Sequence, residues 1–142
     1  MASRYSPKDE ALQFIQGLTN RPPNDESLLW ESFQAAGYSS RDGNKNLALP
    51  GDAALKFYLI MEGQRINDVV SSIASNDNLS RKGFELGLER YIQGNPAQRG
   101  KVSNGTMATT LEAIIGAMFI DSGFDYAVLS DVMARLGLGW PQ

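Results

Sequence analysis

The chain has 142 residues, 13 basic against 16 acidic, a formal charge of −3 and a sequence pI near 4.9. It contains neither cysteine nor histidine, which excludes disulfides, zinc–thiolate sites, thiol nucleophiles, imidazole bases and imidazole metal ligands. Carboxylates, hydroxyls, Lys, Tyr and backbone are left for any chemistry, a metal would have to be a hard, oxygen-seeking ion such as Mg2+, and the acidic balance argues against gripping nucleic acid by bulk charge.

The length suits one ordinary domain, residues 1–142, and 42% apolar with 20% charged residues is a globular composition. No apolar run approaches a membrane span and no signal-peptide core opens the chain, so no membrane partner is expected. An intracellular, by default cytoplasmic, location follows. Arg4 and the early serines leave a mitochondrial one open, with Asp9 and Glu10 speaking against it.

In chain order, residues 1–5 read as a loose start. Ser6-Pro7 then opens a helix with a capping hydroxyl, proline at the first position and acids in the first turn. Ala11, Phe14, Ile15 and Leu18 supply its apolar side at helical spacing. Asn20–Asn24, with its paired prolines, is a break. Asn24 or Asp25 caps a second helix carrying Leu28, Leu29, Trp30 and Phe33, which Gly37 stops. Tyr38–Asn44 is a polar loop. Leu47–Glu62 is a helix apolar nearly all round and is read as a core element. Ile66–Ala74 is a shorter helix. Ser75–Asn78 is a start signal for another, carrying Leu79, Phe84, Leu86, Leu88, Tyr91 and Ile92. Gly94–Gly105 is a long polar loop.

The stretch Ser103–Gly123 (SNGTMATTLEAIIGAMFIDSG) is the centre of the pattern. Met107, Leu111, Ile114, Ile115 and Met118 form an apolar stripe, and Ala108, Ala113, Gly116 and Ala117 are small enough for close helix approach. Asn104 or Thr106 is expected to cap its start, and Gly123 to end it in the left-handed conformation. Glu112 is the one charge amid this apolar helix. Either it looks into solvent, or it faces a cleft where a carboxylate binds metal or water. Tyr126–Leu136 is a last amphipathic helix, and nothing reads as a strand. The fold class is all-α, with six or seven helices.

Three blocks of this sequence resemble the ribonuclease III endonuclease domain family. Its signature N-E-R-L-E-F-L-G-D-A-V-L is matched without a gap by Asn44–Leu55 (NKNLALPGDAAL). Its S-N-E-x-L-A-x-x-A-x-x-L-G-L segment is matched by Ser75–Leu88 (SNDNLSRKGFELGL). Its L-A-D-x-F-E-A-L-I-G-A-L-Y-L-D-x-G segment is matched by Met107–Gly123 (MATTLEAIIGAMFIDSG). The blocks stand in the family's order, and together they are a specific signal.

The resemblance implies an all-α ribonuclease III-like fold and Mg2+-dependent hydrolysis of double-stranded RNA. It also implies an acid pair from each of two facing helices, at i, i+4 and i, i+3, spacings that put each pair on one helical face. Asp52 stands at the signature aspartate and Glu112 at the final glutamate. Ala48 and Thr109 replace the other two acids, and Lys45 replaces a further upstream glutamate. Asp77 stands where the family has an acid close to RNA. On this pattern Asp52 and Glu112 are the remnants of the catalytic and metal site, with Mg2+ bound weakly or not at all. A competing reading has Asp52 simply charging a helix N-terminus.

Pro50 is a further departure, and it predicts a helix that begins at or after Pro50, swinging Ala48 off the Asp52 face. Leu49 takes the place of the family's dimer aromatic, so Leu49 and Pro50 mark an expected two-fold contact; plain core is the other reading of Leu49. These departures point to a catalytically inactive dimeric pseudo-nuclease with a structural, RNA-associated or regulatory role. Its partner is a second copy, or an active nuclease or ribonucleoprotein. The alternative is an active Mg2+-dependent endonuclease on double-stranded RNA, against which stand the missing acids, the acidic surface and a length without room for a double-stranded-RNA-binding domain.

Overall fold

The computed structural model describes residues 6–63, 67–94 and 101–139. The loose start expected of residues 1–5, the expected helix start at Ile66, part of the 94–105 loop and the last three residues lie outside them. Among the described residues the chain forms seven α-helices and one 3-10 turn, and its only strand-like pairing is a single parallel bridge between Gln34 and Gln93. The all-helical expectation holds.

Helix α1 (Pro7–Thr19) opens on a reciprocal cap. Ser6 Oγ accepts from the Asp9 N–H at 3.1 Å, and the Asp9 carboxylate accepts from the Ser6 N–H at 3.3 Å. Helix α2 (Glu26–Glu31) is capped by Asp25 and is shorter than expected. The Ser32 hydroxyl donates back to the Leu29 carbonyl at 2.6 Å, and the backbone then pairs with Gln93, through Ala35 N to Gln93 O and Gln93 N to Phe33 O. A tertiary pairing thus ends the helix before Gly37 is reached. Phe33 is buried all the same.

Helix α3 (Lys45–Gly63) runs straight through Pro50, which corrects the expected late start. Pro50 is the sixth residue of the helix, so its ring forfeits one bond, to the carbonyl of exposed Asn46, close to the helix start. The Asn44 carbonyl still accepts from the Leu47 and Ala48 N–H groups and fixes the first turn. Packing of the following residues on the core outweighs the local cost. Helix α4 (Asn67–Ile73) is short. Helix α5 (Asn76–Glu85), capped by Ser75, stops well before Tyr91. Gly87, at φ +72°, turns the chain into the 3-10 turn Leu88–Arg90, so of the apolar residues expected on one helix Leu79 and Phe84 lie on α5, Leu88 in the turn, and Leu86, Tyr91 and Ile92 outside both.

Helix α6 (Asn104–Asp121) is capped by Ser103, not by Asn104 or Thr106; its Oγ accepts from the Thr106 N–H at 3.1 Å. Gly123 (φ +71°) ends it in the expected conformation. Helix α7 (Tyr126–Arg135) is capped by Asp125. The Asp121 carboxylate accepts from the backbone N–H groups of Asn24 (3.0 Å) and Asp25 (2.6 Å), which ties the diproline break to the end of α6.

Helices α3 and α6 make the most extensive helix–helix contact among the described residues. Almost every residue from Met107 to Met118 is buried, and Leu47, Ala54, Leu55, Tyr58 and Leu59 meet them from α3. Two glycines set the crossing. A Cβ on Gly51 would run into the Glu112 carbonyl, and one on Gly116 would run into the Leu47 carbonyl while lying 2.9 Å from Gly51 N. Backbone meets backbone there, with no flexible side chain to give way. Gly51→Ala or Gly116→Ala is therefore expected to destabilise by about 2–3 kcal/mol, the upper end of overpacking costs. That corresponds to a Tm lowered by roughly 5 °C or more in a thermal melt. Gly17, exposed within α1 with nothing near its missing Cβ, is the control: Gly17→Ala should stabilise by about 0.5–1 kcal/mol. Equal behaviour of the three variants would contradict the crossing as drawn.

Candidate functional site: a cleft between α3 and α6

The glycine crossing brings one face of α3 against one face of α6. Ala48 and Asp52 are one turn apart on α3, and Thr109 and Glu112 one turn apart on α6. All four line a shallow cleft of about 510 Å3, with Asp42, Lys45, Asn46 and Leu49 around them. Ala48 has not swung away from Asp52, because the helix is continuous through Pro50. Of the two readings of Glu112, the cleft is the one observed: the residue is half-buried, between helices.

The two carboxyl groups interact directly. Burial first, then a hydrogen bond to Asp52 and the charge of Asp52, push the Glu112 carboxyl up to about 8, and the Lys56 charge pulls it partly back. Burial and Asp52 both favour the protonated form of Glu112. Asp52 has a second partner in Lys56, one turn further along α3, whose Nζ lies 3.0 Å from Asp52 Oδ2. Asp52 is the eighth residue of α3, two turns beyond its start, so its partners are side chains.

These residues do not fit the Mg2+ site that the resemblance implies. Ala48 has no donor atom and Thr109 offers only a neutral hydroxyl. Among the described residues no three acidic side chains converge closely enough to hold a metal ion, Asp42 included. The remaining two carboxylates already satisfy each other and Lys56. Asp77 sits exposed in the first turn of α5 and does not line the cleft; neither does Pro50. Leu49 stands at the cleft's rim and is 75% exposed, which overturns the reading of it as core.

Two contributors were not singled out from the sequence. Lys56 was legible as the i+4 neighbour of Asp52 on one helix face. Asn44 was not. It is 1% exposed, and its side-chain amide donates to the Ser32 carbonyl (2.8 Å) and to Thr110 Oγ1 (2.9 Å), while its backbone N–H donates to the Gln34 carbonyl (2.8 Å). It thereby fastens the end of α2 and the start of α3 to α6, one residue from Thr109. Only the tertiary fold brings those partners to it.

The family model described as "Ribonuclease III domain" matches residues 45–123, and the chain belongs to that family. The protein named Ribonuclease 3 from Borreliella burgdorferi is 31% identical over 152 aligned positions, covering 91% of this chain and 61% of that protein. Its namesake from Coxiella burnetii is 31% identical over 99, covering 61% of this chain and 42% of that protein. The chain thus spans only part of the length of these curated relatives. The nuclease domain of ribonuclease III from Campylobacter jejuni, a crystal structure, superposes with a TM-score of 0.71 at 19% identity, covering 92% of this chain and 96% of that one. A second structure of the same domain, described for flexibility in a region involved in dimer formation, gives 0.73 at 20% identity over 88% and 94%. At these identities the superpositions establish the fold.

The acid pair makes stability depend on pH in a defined direction. Glu112 releases its proton near its ordinary value of 4.5 when unfolded and at about 8 when folded. Its contribution is full below 4.5 and is lost as pH rises to about 8, because the native state holds the extra proton across that window. Glu112→Gln, which keeps the hydrogen-bond donor and cannot ionise, should lose less stability than the wild type between pH 6 and pH 9 in urea denaturation. Parallel pH profiles for the two proteins would contradict the raised carboxyl.

Proposed function

We propose that this chain is a ribonuclease III-fold domain that does not cleave duplex RNA and acts instead as a dimeric structural or regulatory element in RNA metabolism. The observation that carries the reading is the composition of the cleft. Asp52 and Glu112 face each other, Ala48 and Thr109 bring no charge, Lys45 lines the cleft, and Lys56 beside it pairs with Asp52, so cations stand where a metal-dependent nuclease concentrates acids. Metal-assisted phosphodiester hydrolysis needs a water and a leaving oxygen placed by a fixed ion. Misplacement by about 1 Å can cost roughly a hundredfold in rate. Two carboxyl groups, one of them pushed up by burial and its neighbour, give any Mg2+ at most a weak foothold, since this ion requires near-octahedral oxygen geometry.

The experiment is a cleavage assay on long duplex RNA with Mg2+ or Mn2+, at neutral pH. No divalent-dependent product is expected from the unmodified protein. Robust cutting, abolished by Asp52→Asn or Glu112→Gln, would overturn this reading and establish the active endonuclease instead.

The dimer part of the proposal rests on the outer face of α3. Leu49, Phe57, Ile60 and Met61 are large apolar residues there, with exposures from 47% to 75%. Such a stripe on a chain of this size marks an interaction surface. The Campylobacter nuclease domain, similar in fold, is itself described as having a region involved in dimer formation. A second copy related by a two-fold axis would cover the stripe symmetrically, and an active nuclease of the same fold would cover it as a heterodimer. Light scattering on a size-exclusion column should show a dimer at tens of micromolar, and Leu49→Asp with Ile60→Asp should return it to a folded monomer. A wild-type monomer at that concentration would contradict the homodimer.

A further inference from the structure

The missing acids are only part of why the cleft does not suit a divalent ion. The Asp52 carboxylate is contacted from two sides by this chain's own groups: Lys56 Nζ at 3.0 Å from Oδ2, and the Glu112 carboxyl across the helix crossing. An exposed i, i+4 pair of this kind contributes little to folding stability. Its consequence lies in the electric field it leaves at the cleft. Gly51 packs against the Glu112 carbonyl, so Asp52 and Glu112 are carried on closely approaching backbones beside the cleft. Any cation approaching Asp52 shares its carboxylate with the Lys56 ammonium.

We propose that Lys56 is a built-in monovalent counter-ion for the Asp52–Glu112 pair and that it actively disfavours divalent ions there. The inference rests on the non-catalytic reading above and goes further, since it makes Lys56, and not only the losses at Ala48 and Thr109, a determinant of the cleft's chemistry. A Mg2+ or Mn2+ on Asp52 would lie about 2.1 Å from a carboxylate oxygen, and so within roughly 5 Å of the ammonium nitrogen. Repulsion between a double and a single positive charge at that separation, even at the dielectric constant of water, lowers affinity by about tenfold. Being a Coulomb effect at a solvent-accessible position, it weakens as salt screens it. One consequence is epistatic: restoring acids by Ala48→Glu and Thr109→Asp gives a weaker divalent site with Lys56 in place than without it.

The test uses Mn2+ as the probe and measures its binding directly, by the electron paramagnetic resonance of the free ion. Lys56→Gln and Lys56→Arg are made in the wild-type chain and in the Ala48→Glu/Thr109→Asp chain, with circular dichroism verifying that each variant is folded. Lys56→Gln should raise Mn2+ affinity about tenfold at low salt, the gain shrinking severalfold at high salt, while Lys56→Arg stays near its parent. The acid-restored chain provides a measurable affinity where the wild-type one is too weak to titrate. Equal affinities for Lys and Gln at position 56 in that chain, an equal gain from Arg, or no Mn2+ binding by any variant would overturn the proposal. Duplex-RNA cleavage by the wild type is a separate result: it would sink the non-catalytic reading and leave the Lys–Gln comparison to be judged on the binding data.

Discussion

Everything distinctive about this molecule depends on two helix backbones being allowed to touch. Gly51 on α3 and Gly116 on α6 let the helices cross with carbonyls where side chains would otherwise stand. That contact buries the apolar length of α6 and gives the core its centre. It also fixes the functional geometry. Asp52 follows Gly51 directly, and Glu112 is the residue whose carbonyl Gly51 packs against, so the packing contact and the carboxyl pair are one feature. Neither can shift without the other. Around it, Asn44 and Asp121 tie the irregular segments before α3 and α2 to the same central helix, through hydrogen bonds to otherwise unpaired backbone and hydroxyl groups.

The central helix pair was legible in the sequence because its signals are strong and local. The run Met107–Met118 has helical periodicity with small residues among the large ones, and Leu47–Glu62 is apolar enough to need a partner. The caps at Ser6, Asp25 and Ser75 follow from residue type and position. Where reading failed, a long-range contact had overridden a local rule. Pro50 signals a helix start, yet packing on α6 carries the helix back to Lys45. The apolar series from Leu79 to Ile92 suggests one helix, yet Gly87 breaks it into two elements. Phe33 was expected on α2, but the pairing with Gln93, sixty residues on, ends that helix first.

The cleft was legible to the extent that its residues lie at fixed helical offsets. Asp52 with Ala48, and Glu112 with Thr109, share faces by spacing alone, and the facing of the two helices then brings the four together. The electrostatic outcome was not legible. The position of the Glu112 carboxyl, up at about 8, is a product of burial and of Asp52 arriving from the other helix. Cleft and core thus make opposite demands on the same residue: α6 is a helix that belongs in the interior, and Glu112 sits half-buried on it, its carboxyl pushed up by burial and by Asp52. A nuclease of this family resolves the conflict, on the pattern of its motifs, with more acids and a divalent ion. In this chain the raised Glu112 carboxyl faces Asp52, and Asp52 pairs with Lys56.

Whether a divalent ion enters the cleft can be seen directly. Crystals of the protein soaked in Mn2+ and measured at a wavelength where manganese scatters anomalously would show where, and whether, the ion binds between α3 and α6. No anomalous peak is expected between Asp52 and Glu112, with the Lys56–Asp52 ion pair still in place. A strong peak there, ligated by both carboxylates with Lys56 turned away, would contradict it.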